Sequence, residues 1–184
     1  MPYRSEGRLH GYHPGAIIRA SIRPPEKNKP MKRFFPLLLA LLFAGAAKAQ
    51  VDPASGKLLA TYLQVKDALL AGNAAHAGAA ADSFVRVANT IDYKLISEDN
   101  IRILAGDAAR ISVARSLDAQ RSVFANLSKN MVAVAQSLKL SDAPLYVDYC
   151  PMKGASWLSA GKAIRNPYYG STMLTCGQVQ STIP

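Results

Sequence analysis

One periodic stretch constrains this chain more than any other. Phe124, Leu127, Met131, Val134 and Leu138 recur at alternating steps of three and four residues, which places them on one face of an α-helix and excludes a strand. Three segments upstream repeat the pattern. "SGKLLATYLQVKDALLAG" sets Leu59, Tyr62, Lys66 and Leu69 on adjacent turns and stops at Gly72. "NAAHAGAAADSFVRVANTID" follows, with Asn73 as a cap and Ala77, Ala80, Phe84, Ala88 and Ile91 as its stripe. "SEDN" opens the third, where Ser97 caps a run carrying Ile101, Leu104, Ala108, Ile111 and Leu117. Four stripes joined by short links can be hidden only against one another, and the many alanines allow close approach. The expected fold is all-α: an up-and-down four-helix bundle.

After Leu138 the character changes. "APLYVDYC" alternates as a short extended segment, and Pro151, Gly154, Gly161, Pro167, Gly170 and Gly177 then forbid a long helix. The expectation is an irregular tail rich in Pro, Gly and Tyr, folded back over the bundle with Trp157 and several tyrosines plugging one side.

The front of the chain has a different role. From Met31 it runs "MKRFFPLLLALLFAGAAKAQVD", a basic start, an apolar run from Phe34 to Ala47, and small residues at Ala47 and Ala49. That is the layout of a cleaved signal peptide ending near Ala49. The apolar run has 14 residues, short of the roughly 20 needed for a membrane span. Residues 1–30 are polar and proline-containing and read as an over-extended start without structure of its own, so His10 and His13 are not recruited as ligands. Residues 31–49 are the signal, and residues 50–184 form a single domain whose Cys/Met tail occupies 145–179. The formal charge of +10 then falls to +3 for residues 50–184. No basic patch interleaved with aromatics remains, and a nucleic-acid partner loses its support. The expected location is periplasmic or secreted, with no permanent membrane span.

The concentrated chemistry lies in the tail. Cys150 and Met152 flank Pro151, while Met173 and Cys176 stand three apart. Thiolate and thioether are soft ligands that favour Cu(I) over oxygen-preferring ions, so these four residues are the candidate metal site. A secreted chain with two cysteines equally allows a Cys150–Cys176 disulfide, worth about 3.5 kcal/mol on the chain-entropy account. Unpaired thiols are the third state that spacing leaves open. No Ser-His-Asp setting, H-E-x-x-H, glycine-rich phosphate loop or C-x-x-C-H haem attachment occurs. Asp148 and Lys153 stand near enough to Cys150 in sequence to tune a thiolate, but solvated loop charges are the commoner case, and the expectation is a protein that is not an enzyme.

"YVDYCPM", "WLS", "IRNPYYG" and "MLTCG", preceded by "YLQVKDALLAGN" and "FANLSKNM", closely resemble an uncharacterised bacterial domain family over about Ser55 to Ile183. Members occur as small secreted proteins or fused to the periplasmic adaptor subunits of copper and silver efflux systems. The resemblance implies a role near copper or other heavy metals outside the cytoplasm, with an efflux adaptor or another envelope protein as partner. Its sulfur motif falls on Cys150, Met152, Met173 and Cys176, and its aromatic and turn positions on Trp157, Asn166, Pro167, Tyr168 and Gly170. Many members carry histidines early in the fourth helix, where this chain has "SLDAQRSVF", so its site rests on sulfur alone. The expected function is non-enzymatic heavy-metal handling, with Cu(I) as the ion, in metal efflux or resistance. The alternative is a structural or protein-interaction envelope domain clasped by the disulfide.

Overall fold

Each helix begins where a short polar side chain can satisfy free backbone N–H groups. The structure, a computed structural model, describes residues 50–184; the upstream segment and signal peptide expected at 1–30 and 31–49 lie outside them. Helix α1 spans Pro53–Leu70, where Asp52 accepts from the N–H groups of Ala54 and Ser55 and proline at the first position needs no partner for its missing donor. Helix α2, Ala74–Ala88, is capped by Asn73, which accepts from His76 N at 2.9 Å. Helix α3, Glu98–Val113, is capped by Ser97, and Glu98 and Asp99 in its first turn complement the helix dipole. Helix α4, Leu117–Ser137, is capped by Ser116. Leu117 therefore opens α4 rather than extending the stripe of α3. The helices pack in succession, α1 on α2, α2 on α3 and α3 on α4. Their buried faces carry the predicted stripe, including Tyr62, Leu69, Ala77, Phe84, Ala88, Leu104, Ile111, Phe124, Leu127 and Met131.

The tail overturns the all-α expectation. It forms β1 (Leu145–Cys150), β2 (Ala155–Ser159), a 3-10 turn (Gly170–Met173) and β3 (Gln178–Ile183). The strands make an antiparallel sheet in the order β2-β1-β3, so the fold is mixed α/β: four helices and a three-stranded sheet. The physical reason is the placement of the breakers. Pro151 and Gly154 lie between β1 and β2, Gly161, Pro167 and Gly170 between β2 and β3, and Gly177 immediately before β3. They exclude a long helix while leaving each strand uninterrupted. Gly154 closes the first turn in the left-handed region, φ 66°, with its N–H on Cys150 O at 2.8 Å.

Sheet and bundle are joined by an aromatic row. Tyr62 of α1 stacks on Phe124 of α4 at 5.4 Å between ring centres, Phe124 meets Tyr168 at 5.9 Å, and Tyr168 meets Trp157 edge-on at 5.8 Å. The Tyr62 hydroxyl lies 2.8 Å from Ser128 Oγ and accepts the N–H of Leu158 at 3.1 Å. Strand β2 is a sheet edge, and this hydroxyl takes up an N–H that no neighbouring strand would receive. Trp157 is fully buried, which agrees with its expected role as a plug. Arg121 adds a second tie, its guanidinium donating to Pro167 O and to Leu69 O near the end of α1, both at 3.0 Å.

Candidate functional site: a paired thiol at the end of the central strand

Cys150 ends β1 and is fully buried; Cys176 lies just before β3 and is half-buried. Although 26 residues apart in the chain, their sulfurs are 3.4 Å apart and both are free thiols. Pairing of β1 with β3 brings them together, since Tyr149 faces Gln178 in register and Cys176 precedes that residue by two. Gly177 makes the approach feasible. A Cβ there would stand 2.9 Å from Tyr149 O and 3.0 Å from the Trp157 ring, and its φ of 143° disfavours any other residue.

Asn166 holds the tail segment from the other side. Its side chain is buried, its Nδ2 donates to Cys176 O at 2.8 Å, its Oδ1 accepts from Tyr168 N at 2.9 Å, and its N–H reaches Leu174 O at 2.7 Å. The family resemblance placed Asn166 only among its aromatic and turn positions. The signal in the sequence is the Asn-Pro pair, which favours a turn whose side chain bonds back to nearby backbone.

The two thiols are electrostatically unlike. Burial pushes the Cys150 thiol up, but the Lys153 N–H, the Cys176 thiol, the Asn166 amide and the Met152 N–H outweigh it, and Cys150 is held below the ordinary cysteine value. Cys176 is raised, first by its hydrogen bond to Cys150, then by desolvation and by the charge on Cys150. The two thiols titrate as a coupled pair, with the bias toward ionisation on the Cys150 side.

The methionines sit on flanking turns. Met152, at the β1–β2 turn, is 64% exposed. Met173 closes the 3-10 turn, is half-buried, and accepts the Cys176 N–H on its carbonyl at 3.1 Å. Among the described residues no group of three or more His, Cys, Asp or Glu side chains could hold a metal ion. A four-coordinate zinc site built from such ligands is therefore not formed here. What the pair offers is a soft, sulfur-only donor set, which fits a low-coordinate soft cation.

Asp148 departs from its expected role as a solvated loop charge. It is fully buried on the central strand and accepts from Ser159 Oγ at 2.6 Å. Burial raises its pKa against the pull of Ser159 and the nearby charge of Lys66. Lys153 is exposed, as expected. Among the described residues no helix is long and apolar enough to cross a membrane.

The site and fold together define a class: a helical bundle that carries a small sheet with a dithiol at the end of its central strand. Residues 58–143 match the model of a family described as "Protein of unknown function (DUF3347)", and a DUF3347 domain thus occupies that part of the chain. The match covers the helices from the first turns of α1 to the link before β1. Cys150, Met152, Met173 and Cys176 all lie beyond it. No curated protein and no solved structure matches the chain.

Proposed function

We propose that this protein is a non-enzymatic, periplasmic or secreted metal-handling module that holds Cu(I) in its reduced form, in association with metal efflux or resistance. Cys150 and Cys176 are the anchoring thiolates; Met173 and Met152 are the remaining soft donors. The observation that carries this reading is the 3.4 Å approach of two free thiols with N–H donors directed at one of them. Such donors favour the ionised sulfur that a soft ion requires. An extracytoplasmic setting follows from the signal-peptide pattern ahead of Val51.

Anaerobic titration of the reduced protein with Cu(I) against a competing chelator tests it. One ion per chain with sub-micromolar affinity is expected, lost on Cys150→Ser and Cys176→Ser together. Binding that survives both substitutions refutes the assignment.

The same sulfur contact supports a second reading, in which oxidation joins the cysteines and pins the tail as the clasp of a structural or docking domain. Closing a loop of 26 residues would stabilise the fold by about 3.5 kcal/mol on the chain-entropy account. Mass spectrometry of protein alkylated as it leaves its native compartment separates the two. A pair oxidised throughout favours the clasp, and free thiols favour the ion.

A further inference from the structure

The exposed charged side chains of the tail that holds the sulfur pair have a single sign. From Ala143 to Pro184 the charged side chains are Asp148, Lys153, Lys162 and Arg165, and the one acid among them is fully buried. All three cations are exposed, and none is in an ion pair. Two of them flank the site. Lys153 follows Met152 in the turn whose N–H groups reach the Cys150 sulfur, and Arg165 precedes Asn166, which touches both cysteines. In the same tail three apolar side chains stand in solvent: Met152 at 64%, Leu174 at 37% and Val179 at 40% exposed. An open groove of about 500 Å³ leads away from the same turn between α4 and β2. It is lined by Asn126, Lys129, Gly154 and Ser156 among others, and no acid lines it.

Unpaired cations around exposed apolar side chains steer a partner of the opposite sign and hold it by desolvating the apolar part. The half-buried Cys176 sulfur at this rim gives such a partner access to the pair. We propose that this face docks an acidic segment of another protein, one that presents thioether sulfur and exchanges a soft ion with the pair through Met152 and Cys176. The purpose of the docking rests on the metal-handling reading; the docking itself does not. An anionic membrane would meet the same charges, but it supplies no soft donor, and the apolar contribution is three side chains from three separate segments rather than one continuous apolar stripe.

The test uses the full chain, reduced and metal-free, and a dye-labelled synthetic peptide of Asp, Glu and Met followed by fluorescence anisotropy. The peptide is expected to bind, to weaken as salt rises, and to lose about tenfold in affinity when Lys153→Glu and Arg165→Glu are combined. Lys94→Glu, on the exposed α2–α3 link, should leave binding unchanged. Equal binding of a peptide with Asn and Gln for the acids, indifference to the charge reversals, or binding to phosphatidylserine vesicles without binding to the peptide would overturn the proposal. Because no metal is present, a failed Cu(I) titration leaves docking standing, and a failed peptide titration leaves ion binding standing.

Discussion

Asn166 and Asp148 show how single residues set the chemistry of the tail. Asn166 gives its amide to Cys176 O and to the Cys150 sulfur, so Asn166→Ala should raise the pKa of Cys150. The pH profile of Cys150 alkylation, read by mass spectrometry, should move to higher pH; an unmoved profile would contradict the role given to the amide. Asp148 has the opposite bias, its folded pKa lying above the unfolded value because of burial. Between those two values the folded chain keeps a proton that the unfolded chain has released. Stability must therefore fall as pH rises from the ordinary carboxylate range through the raised value. Urea unfolding across that window should show this loss in the parent protein and a flatter profile in Asp148→Asn, which still offers an oxygen to Ser159. Neither role was legible in the sequence. An aspartate two residues before a Cys-Pro pair looks like a loop charge until strand pairing places it at the centre of a sheet.

At the scale of elements, the helices and the extended segment that forms β1 were written in the sequence, and β2, β3 and their pairing were not. Asn73 and Ser97 cap where expected, and the stripe through Phe124, Leu127 and Met131 is buried as its spacing requires. Helix signals are local, repeating within one turn of the chain. Strand β3, "QVQSTI", is exposed along nearly all its length and has no apolar alternation to announce it. Its existence depends on pairing with β1 between residues 29 to 38 positions apart, through the close approach at Gly177. The join between the layers is equally non-local. Tyr62→Phe removes the hydroxyl that faces Ser128 and accepts from Leu158, leaving a buried N–H without a partner. A destabilisation of about 1–3 kcal/mol is expected by urea denaturation. A neutral effect would mean that the edge of β2 is satisfied in another way.

For the whole molecule, the helical part is a frame that carries the sheet and its two cysteines. The DUF3347 match ends before the first strand, so the part of the chain that is similar to a described family is not the part that holds the sulfurs. The candidate site was half legible. Four sulfurs in two local pairs could be picked out by composition, and the structure brings the cysteines together while leaving Met152 largely in solvent. Which sulfurs act together depends on the fold of the tail, and that follows from pairings no local pattern encodes. Copper K-edge X-ray absorption of the reduced, Cu(I)-loaded protein tests the central claim most directly, because it counts the atoms bound to the ion. The account predicts a first shell made of sulfur alone that disappears in the Cys150→Ser, Cys176→Ser protein. A shell of nitrogen or oxygen, or a sulfur shell unchanged by those substitutions, would contradict it.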